Sequence, residues 1–412
     1  MRGLVLEGGG ARGSYQIGAY KAMRSLGMDF DGVVGTSIGS LNAAFIVQGD
    51  VDMIEDIWIN HDYSHFINVD EDFYNKYKNI NGIAFSITNF VDMLNIIVSN
   101  KEIDITPLRE LLERTIDEDK IRNSCKDFGF VTVCVDKGLV PCHLYIEDVP
   151  EGQLINYLLA SCSLPIFKND KIDEKIYLDG VFSDNIPVEL LKQKGYTDIV
   201  VVRLVDDIFG KMHLTKYKDL DIKIIVPSEN LGGCLNKDYE NVSKNMLLGY
   251  YDTLKFFEKL QGVKYFFQLD TKFEEKYCFD IFAKLDEKTI ESLCKILNIK
   301  QDSSMRVLFE TIIPKASEMI GLDKDFTYKD LYFRIYEKKL EENNINRINV
   351  YNFAKVVDIV NKNIDSGKDI VEKLGTTQTL PINILLKKNK KAKLLVNTFL
   401  RGLSKISSEF FV

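Results

Sequence analysis

Short apolar runs alternate with helical periods through the first half of the chain. Between these runs, apolar residues recur every three or four positions, as in a helix from Tyr15 to Leu26 that ends at Gly27. Strands that alternate with helices form a largely parallel sheet covered on both faces. The pattern therefore predicts an α/β fold with a three-layer α/β/α core and a mostly parallel sheet. The predicted strands are 3–6, 31–34, 128–135, 139–146, 176–178, 199–202 and 222–226.

The second half has a different pattern. The stretch Met246–Phe267 begins as a helix, with Asp252 and Thr253 on its predicted polar side, and charged helical periods continue to the end of the chain. None of these helices carries a motif with recognisable chemistry. We therefore predict a core domain at residues 1–228, followed by a helix-rich C-terminal region at residues 229–412.

The last segment, residues 387–405, is basic and amphipathic. Lysines and one arginine interleave with leucine, valine and phenylalanine at helical spacing. A helix of this kind can lie on an anionic membrane surface. The alternative is a terminal helix docked on the protein with its lysines in water, and the sequence leaves both open.

Between the second strand and the helix after it lies Gly35-Thr36-Ser37-Ile38-Gly39. This G-x-S-x-G pattern is a nucleophile elbow, in which the serine occupies a tight turn and both flanking glycines avoid collisions with neighbouring backbone. The context between a strand and a helix makes a chance match less plausible. Ser37 is therefore the predicted nucleophile.

A glycine-rich loop, Gly8-Gly9-Gly10-Ala11-Arg12-Gly13, follows the first strand and opens the first helix. One interpretation is an oxyanion hole, in which backbone N–H groups of Gly8, Gly9 and Gly10 bind the negative oxygen that forms during acyl transfer. The other is a dinucleotide site, because Gly8-x-Gly10-x-x-Gly13 is also the nucleotide fingerprint. That site needs an acidic residue at the end of the second strand, and Asp31 lies at its beginning.

Asp179-Gly180 ends the short strand 176–178, and Asp179 is the predicted proton acceptor for Ser37. The competing interpretation is an aspartate that caps its own turn. A Ser-His-Asp triad would require His213, the one histidine after Asp179 in the chain, which lies in a segment that reads as a polar surface loop.

These motifs together resemble the patatin-like phospholipases, a family marked by a G-G-G-x-[RK]-G loop, a G-x-S-x-G elbow and a later D-G-[GA]. The order and close spacing of the first two match, although Val181 stands where the third motif has Gly or Ala. The segments 158–167 and 183–188 are also similar to the family. The resemblance implies a Ser37–Asp179 dyad, with Arg12 and Gly13 shaping the oxyanion loop, and it extends over about residues 1–228.

An aromatic-rich stretch lies between Met53 and Asn100, and includes Trp58, Tyr63 and Phe66. It could form a cap over an acyl-chain cleft. Aromatic residues at helical spacing more commonly pack in a core, and we favour ordinary packing.

Composition narrows the function further. The chain has 412 residues and a net charge of −8, which argues against nucleic acid as a partner. Seven scattered cysteines and four histidines form no metal-like motif, so we expect reduced thiols, no metal and no cofactor. No secretory signal and no run of about 18 apolar residues is present, which favours the cytoplasm, with peripheral membrane contact as an option.

The sequence thus predicts a serine acyl hydrolase that cleaves fatty-acyl esters of phospholipids or acylglycerols through an acyl-enzyme. Two other classes remain open: a catalytically idle lipid-binding or scaffold protein of the same fold, and a dinucleotide-binding protein that uses the Gly8 loop.

Overall fold

The structure of the chain is a computed structural model that forms two compact units, Met1–Phe256 and Phe257–Val412. We call them the first and the second unit. The residues that the structure describes are 1–79, 103–136, 138–165, 167, 171–172, 174–270, 273–300, 304–374 and 390–407.

A mostly parallel sheet with flanking helices forms the centre of the first unit, which confirms the predicted α/β class. Its strand order is β4-β3-β2-β1-β6-β7, with β5 also paired to β3. All neighbours from β3 to β7 along this order are parallel, whereas β4 and β5 run antiparallel to β3. The strands are β1 Arg2–Leu6, β2 Gly32–Thr36, β3 Asp127–Val135, β4 Leu139–Tyr145, β5 Ile176–Asp179, β6 Asp198–Val202 and β7 Asp221–Ile225.

The central strands are fully buried because their apolar residues face helices on either side. Val5, Val34 and Val201 are among the residues with no exposed surface. The described helices of this unit are α1 Ser14–Ser25, α2 Ile38–Gln48, α3 Val51–Asn60, α4 Glu71–Tyr77, α5 Thr106–Thr115, α6 Glu118–Arg122, α7 Leu154–Ser161, α8 Val188–Gln193, α9 Ile208–Leu214 and α10 Tyr239–Phe256.

Strands β2 and β5 pair with successive parts of β3, and this pairing brings their ends together. Strand β2 ends where Thr36 pairs with Val131, and β5 ends where Asp179 pairs with Thr132, the next residue of β3. Since β2 is parallel and β5 antiparallel to β3, the two strands approach each other end to end. Their last residues therefore meet beside β3.

Helix α10 extends the first unit to Phe256, beyond the boundary predicted near residue 228. It packs tightly on α1 through two glycines: a Cβ at Gly18 would lie 1.9 Å from the Met246 carbonyl oxygen, and one at Gly249 would lie 2.0 Å from that of Tyr15. This close approach also corrects the predicted polar side of the helix. Asp252 is buried, and its carboxylate accepts the Tyr15 hydroxyl at 3.1 Å and the Ser228 N–H at 2.9 Å; Thr253 is fully buried.

The second unit is rich in helices, with a single described pair of parallel strands, β8 and β9. Its core is a continuous apolar cluster that includes Phe282, Tyr332 and Phe399. The elements are β8 Phe266–Gln268, α11 Glu275–Ala283, α12 Glu287–Leu297, α13 Met305–Val307, a π-helical turn Leu308–Ile312, α14 Ile313–Ile320, α15 Tyr328–Glu342, β9 Val350–Asn352, α16 Phe353–Lys362, α17 Gly367–Leu374 and α18 Lys390–Ser407.

Helix α18 decides between the two interpretations of the basic C-terminal segment. Its apolar side chains, Leu395, Val396, Phe399, Leu400 and Leu403, are buried in the core of the second unit. The docked-helix alternative therefore holds for the described part of the segment, while residues 387–389 lie outside the described residues. Among the helices that the structure describes, we find none with the length and apolar character needed to cross a membrane.

Candidate active site

Ser37 lies at the turn between β2 and α2 with φ 55° and ψ −128°, a backbone conformation that residues other than glycine seldom adopt. The glycines on either side make this turn possible. A Cβ at Gly35 would lie 2.2 Å from the Gly39 carbonyl oxygen, and a Cβ at Gly39 would lie 2.3 Å from the Leu6 carbonyl oxygen. The structure thus has the tight strand–turn–helix geometry that the motif predicts.

The Ser37 hydroxyl donates a hydrogen bond of 2.6 Å to Oδ2 of Asp179. Oδ1 of the same carboxylate accepts the Val181 N–H at 2.9 Å, so both oxygens of Asp179 have a donor. The Asp179 N–H donates to the Ser163 carbonyl at 2.8 Å and fixes the end of β5. The predicted nucleophile and the predicted proton acceptor are therefore in direct hydrogen-bonding contact, without a histidine between them.

Val181 fits the site although it is β-branched. Residues Gly180–Phe182 form a short 3-10 turn that Asp179 caps, and Val181 is not among the residues with positive φ. Gly180 is the position with a strict size limit, because a Cβ there would lie 2.4 Å from the Val131 carbonyl oxygen.

The environment of Asp179 favours its neutral form. The residue is 1 % exposed. Burial raises the pKa of Asp179 from 3.8 to about 7, and the hydrogen bonds from Ser37 and Val181 only partly offset this rise. A carboxylate with a pKa near neutrality is a more effective proton acceptor for a hydroxyl than an ordinary aspartate.

The glycine loop approaches Ser37 from the neighbouring strand. The Gly8 N–H donates to the side-chain oxygen of Asn185 at 3.1 Å, and the Ala11 N–H donates to the Cys234 carbonyl at 2.6 Å. Among the described residues, the N–H groups of Gly9 and Gly10 have no acceptor. Within this loop, those two groups are the ones available to an oxyanion.

The outer side of the loop is held by residues 232–234, which lie beyond the predicted boundary at residue 228. Gly10 has φ +61°, and a Cβ there would lie 2.2 Å from the Cys234 carbonyl oxygen. Arg12 is buried, and its Nε donates to the Gly232 carbonyl at 2.8 Å. Gly13 contacts α2 and α3, where a Cβ would lie 2.6 Å from Ile38 and 3.0 Å from Trp58. Arg12 and Gly13 thus contact the residues behind the loop, and their role in shaping an oxyanion loop stays a prediction.

Two residues position the site without having been predicted to do so. The Ser161 hydroxyl accepts the Ser37 N–H at 3.1 Å and donates to the Val131 carbonyl at 2.7 Å. Asn185 holds Gly8 from both sides, because its Nδ2 also donates to the Gly8 carbonyl at 3.3 Å. Both residues lie in segments that resemble the family, but their partners are distant in sequence, so no local pattern indicates the contacts.

Replacing Asn185 with alanine should lower kcat by about 10–100-fold while KM changes less than about threefold. The alanine removes the side-chain acceptor of the Gly8 N–H and the donor to the Gly8 carbonyl, and leaves only the longer bond of 3.4 Å from the Gly8 N–H to the backbone carbonyl of residue 185. The loop therefore loses the side-chain contacts that hold it beside Ser37. Steady-state kinetics on a monomeric ester tests this. Asn156→Ala, at another partly buried asparagine of the first unit, is the control and should leave kcat unchanged. An unchanged kcat in Asn185→Ala would contradict the assignment.

A cavity of about 720 Å³ contains Ser37, Asp179 and the glycine loop. One part of its wall is apolar, and Trp58 and Phe66 of the aromatic-rich stretch belong to it. Trp58 also packs in the core, so the stretch supplies both packing and cavity wall, while residues 80–102 lie outside the described residues. The apolar wall includes Leu41, Trp58, Phe66, Ile105, Leu108 and Leu164.

The polar residues of the cavity are largely paired with the protein. Glu7 and Arg203 form a buried ion pair of 3.0 Å, and burial raises the pKa of Glu7. Lys237 donates to the carbonyls of Trp58 at 2.5 Å and His61 at 2.6 Å at the end of α3, and burial lowers its pKa to about 7. Lys237 therefore caps a helix and holds the aromatic wall in place.

His213 differs from its prediction as a loop residue. It lies in helix α9 and lines the cavity, with Nε2 at 3.7 Å from Oδ1 of Asp184. His143 lies on the other side of Asp184, with 3.2 Å between Nε2 and Oδ2. Neither histidine is the partner of Ser37. The described residues contain no group of three or more His, Cys, Asp or Glu side chains that could hold a metal ion.

Comparison with known proteins finds similarity to one family over the part of the chain that carries this site. The sequence model of the patatin-like phospholipase family matches residues 4–192. Residues 4–192 are thus similar in sequence to this family. Among curated proteins, the lysophospholipase nte1 of Aspergillus niger is 28% identical over 211 residues, and the patatin-like phospholipase domain-containing protein ZK370.4 of Caenorhabditis elegans is 25% identical over 200 residues.

These alignments cover 50% and 47% of this chain, and only 12% and 13% of the length of the two relatives. Among solved structures, VipD from Legionella pneumophila is similar with a TM-score of 0.37 and 12% identity, over 100% of this chain and 92% of that one. The complex of full-length SpcU with full-length ExoU from Pseudomonas aeruginosa gives a TM-score of 0.30 and 14% identity, over 88% and 80%. The matched residues 4–192 end before α9 and α10, which the first unit contains as well.

Proposed function

We propose that the chain is a serine acyl hydrolase that cleaves fatty-acyl esters of phospholipids or related glycerolipids. The observation that carries the proposal is the 2.6 Å hydrogen bond from Ser37 Oγ to Asp179 Oδ2, inside a cavity that has an apolar wall. The curated relatives named lysophospholipase make a lysophospholipid the first substrate to test.

In the acylation step, Asp179 accepts the hydroxyl proton while Ser37 Oγ attacks the ester carbonyl carbon. The carbonyl oxygen becomes negative and receives the N–H groups of Gly9 and Gly10. The tetrahedral intermediate then loses the glycerol alkoxide, to which Asp179 returns the proton. The products of this half-reaction are a free alcohol and an acyl ester on Ser37.

In the deacylation step, a water molecule gives a proton to Asp179 and attacks the acyl carbonyl carbon. The same loop holds the oxyanion again. Collapse of this intermediate releases the fatty acid, and the proton on Asp179 passes to Ser37 Oγ. The cycle balances without a metal, a cofactor or an external base.

The two alternatives have less support. A dinucleotide would need the backbone of the Gly8 loop for its pyrophosphate, yet the N–H groups of Gly8 and Ala11 already donate to Asn185 and Cys234. A catalytically idle scaffold would not need a serine hydroxyl paired with a proton acceptor. The hydrogen bond between Ser37 and Asp179 therefore favours an enzyme over the scaffold. A fluorophosphonate probe separates the classes because it reacts with an activated serine.

The activity should depend on the ionised form of Asp179. Because burial raises the pKa of Asp179 to about 7, kcat/KM should rise with pH, level off above about 8 and fall about tenfold per unit well below 7. Hydrolysis of a monomeric ester between pH 5 and pH 9 measures this. The midpoint should stay in place in His213→Gln, and full activity of the wild type at pH 5 would contradict the role of Asp179.

The proposal is tested by fatty-acid release from a lysophospholipid, a diacyl phospholipid and an acylglycerol, each with chelator present. Release in chelator supports a metal-free hydrolase, and the preferred substrate identifies the ester. No release from any of them, with folded protein that the fluorophosphonate does not label, would favour the lipid-binding scaffold.

The location and the partners that we propose follow from the cysteines, the charge and helix α18. All seven cysteines are free thiols, which supports a reducing compartment such as the cytoplasm. Three lysines of α18 are exposed while the apolar face of the helix is buried: Lys390, Lys391 and Lys393. The peripheral membrane contact that we propose for this helix is therefore electrostatic. The net charge of −8 gives nucleic acid no support as a partner.

A further inference from the structure

Helix α9, Ile208–Leu214, exposes three large apolar side chains. Ile208 is 67% exposed, Phe209 77% and Met212 62%. At helical spacing these positions share one side of the helix, while Gly210 and Leu214 are buried on the other. We call Ile208, Phe209 and Met212 the α9 patch. Large apolar side chains clustered in water mark interaction sites more often than scattered ones do.

The α9 patch adjoins the catalytic cavity. Phe209, Gly210 and His213 belong to the cavity wall that also contains Ser37 and Asp179. Phe209 thus lines the cavity and is mostly exposed to solvent. An acyl chain that reaches the patch would therefore meet the wall of the catalytic cavity at Phe209.

The helix is held in a fixed position. Asp207 caps it by accepting the Gly210 N–H at 2.7 Å, and the other oxygen of Asp207 accepts Nη2 of Arg203 at 2.9 Å. Gly210 lies directly on the guanidinium group, because a Cβ there would be 2.1 Å from Arg203 Nη2. Arg203 in turn pairs with buried Glu7. The patch is therefore presented by a braced element at the mouth of the cavity.

Charge and area together indicate the kind of partner. Lys211 on the helix pairs with Asp206 at 2.7 Å, so the helix and the residues before it carry little net charge for a strongly charged partner to attract. Three side chains expose a few hundred Å², well below the roughly 800 Å² per partner of a stable protein interface. A lipid interface needs no such area, because each apolar side chain is buried among the acyl chains separately. A few side chains are therefore enough for contact with lipid.

We propose that the α9 patch docks the protein on a phospholipid surface, with the mouth of the catalytic cavity facing the lipid. The inference rests on the proposed function, since it assigns the route by which a lipid substrate reaches Ser37. Because apolar burial drives the contact, zwitterionic phospholipid should be sufficient, and salt should have little effect.

The test measures binding in the absence of hydrolysis. Full-length Ser37→Ala protein is sedimented with phosphatidylcholine vesicles, alone and combined with Ile208→Ser/Met212→Ser. The double substitution should weaken vesicle partitioning at least tenfold, and a change from 0.1 to 0.5 M NaCl should alter it less than twofold. The matched control is Leu139→Ser/Val140→Ser, which removes two exposed apolar side chains, 59% and 50% exposed, that do not line the cavity.

A second measurement excludes misfolding. With Ser37 restored, Ile208→Ser/Met212→Ser should hydrolyse a monomeric short-chain ester within twofold of the wild type and lose most of its rate on vesicles. Three results would each overturn the proposal. The patch variant could partition onto vesicles as strongly as its Ser37→Ala parent, or the Leu139→Ser/Val140→Ser control could lose as much binding as the patch variant. The wild type could also be a dimer that the patch substitutions dissociate. Patch-dependent vesicle binding by a protein that hydrolyses no ester would support docking while the proposed function fails.

Discussion

Replacing Ser37 with alanine should lower fatty-acid release by about 10⁴–10⁶-fold, the scale on which serine hydrolases lose activity without their nucleophile. The alanine removes the atom that forms the acyl-enzyme, and the dyad offers no second nucleophile. Folding should be unaffected, because the backbone strain at φ 55° is the same for both residues. Release from the preferred substrate and fluorophosphonate labelling should be lost together.

Ser183 provides the matched control for this result. It is the other serine of the cavity wall among the described residues. Ser183→Ala should retain labelling and most of the activity, because the carboxylate of Asp179 receives the Ser37 hydroxyl. If Ser37→Ala still released fatty acid above the background rate, the mechanism would be wrong.

Replacing Asp179 with asparagine should lower kcat by about 10³–10⁴-fold and at the same time stabilise the protein at alkaline pH. The amide cannot accept the hydroxyl proton, which accounts for the lost activity. The gain in stability has another cause: in the wild type, the folded-state pKa of about 7 lies above the model value of 3.8. The folded state therefore binds a proton more tightly than the unfolded state does.

The proton on Asp179 therefore stabilises the folded wild type fully below about pH 4, and this stabilisation is lost as the pH rises to about 7. Asparagine removes this dependence. The free energy of unfolding of Asp179→Asn relative to wild type should thus increase by on the order of 3 kcal/mol between pH 5 and pH 8. Denaturant unfolding at both values measures the difference.

Asp252→Asn is the control that separates burial from catalysis. Burial also raises the pKa of Asp252, but this carboxylate binds Tyr15 and Ser228 and does not line the cavity. Its substitution should leave kcat within about twofold of wild type. A variant Asp179→Asn with wild-type kcat would refute the dyad. A stability difference between this variant and wild type that is no larger at pH 8 than at pH 5 would refute the raised pKa.

Destabilisation of this kind is expected where a site keeps a reactive group in an unfavourable environment. Ser37 has a backbone conformation that is rare for residues with side chains. The burial of Asp179 raises the pKa of its carboxylate, which favours the proton transfer that we propose. The surrounding backbone of the first unit holds Ser37 and Asp179 in place, because it packs closely against Gly35, Gly39 and Gly180.

The sequence by itself determined the local elements of this protein. A glycine on each side of Ser37, between an apolar run and a helical period, specifies a tight turn, because no other residue fits so close to neighbouring backbone. The glycine loop is specified in the same way. The alternation of strands and helices likewise predicted the α/β class, since each element has to bury its apolar face against the next layer.

The tertiary structure decided which of these elements meet. Ser37 and Asp179 are 142 residues apart in sequence, and they come together because β2 and β5 end beside consecutive residues of β3. The same holds for Asn185 on Gly8, and for Cys234 on the outside of the loop. Such contacts depend on strand register and chain path, which local patterns do not encode.

The tertiary structure also decided which side chains are buried. Asp252 and the apolar face of α18 are buried because other elements cover them, although their patterns are those of a polar helix side and a membrane-surface helix. Conversely, the α9 patch is exposed although its residues are apolar. A side chain's own polarity sets the free energy of its burial, but the packing of the whole unit determines whether it is buried.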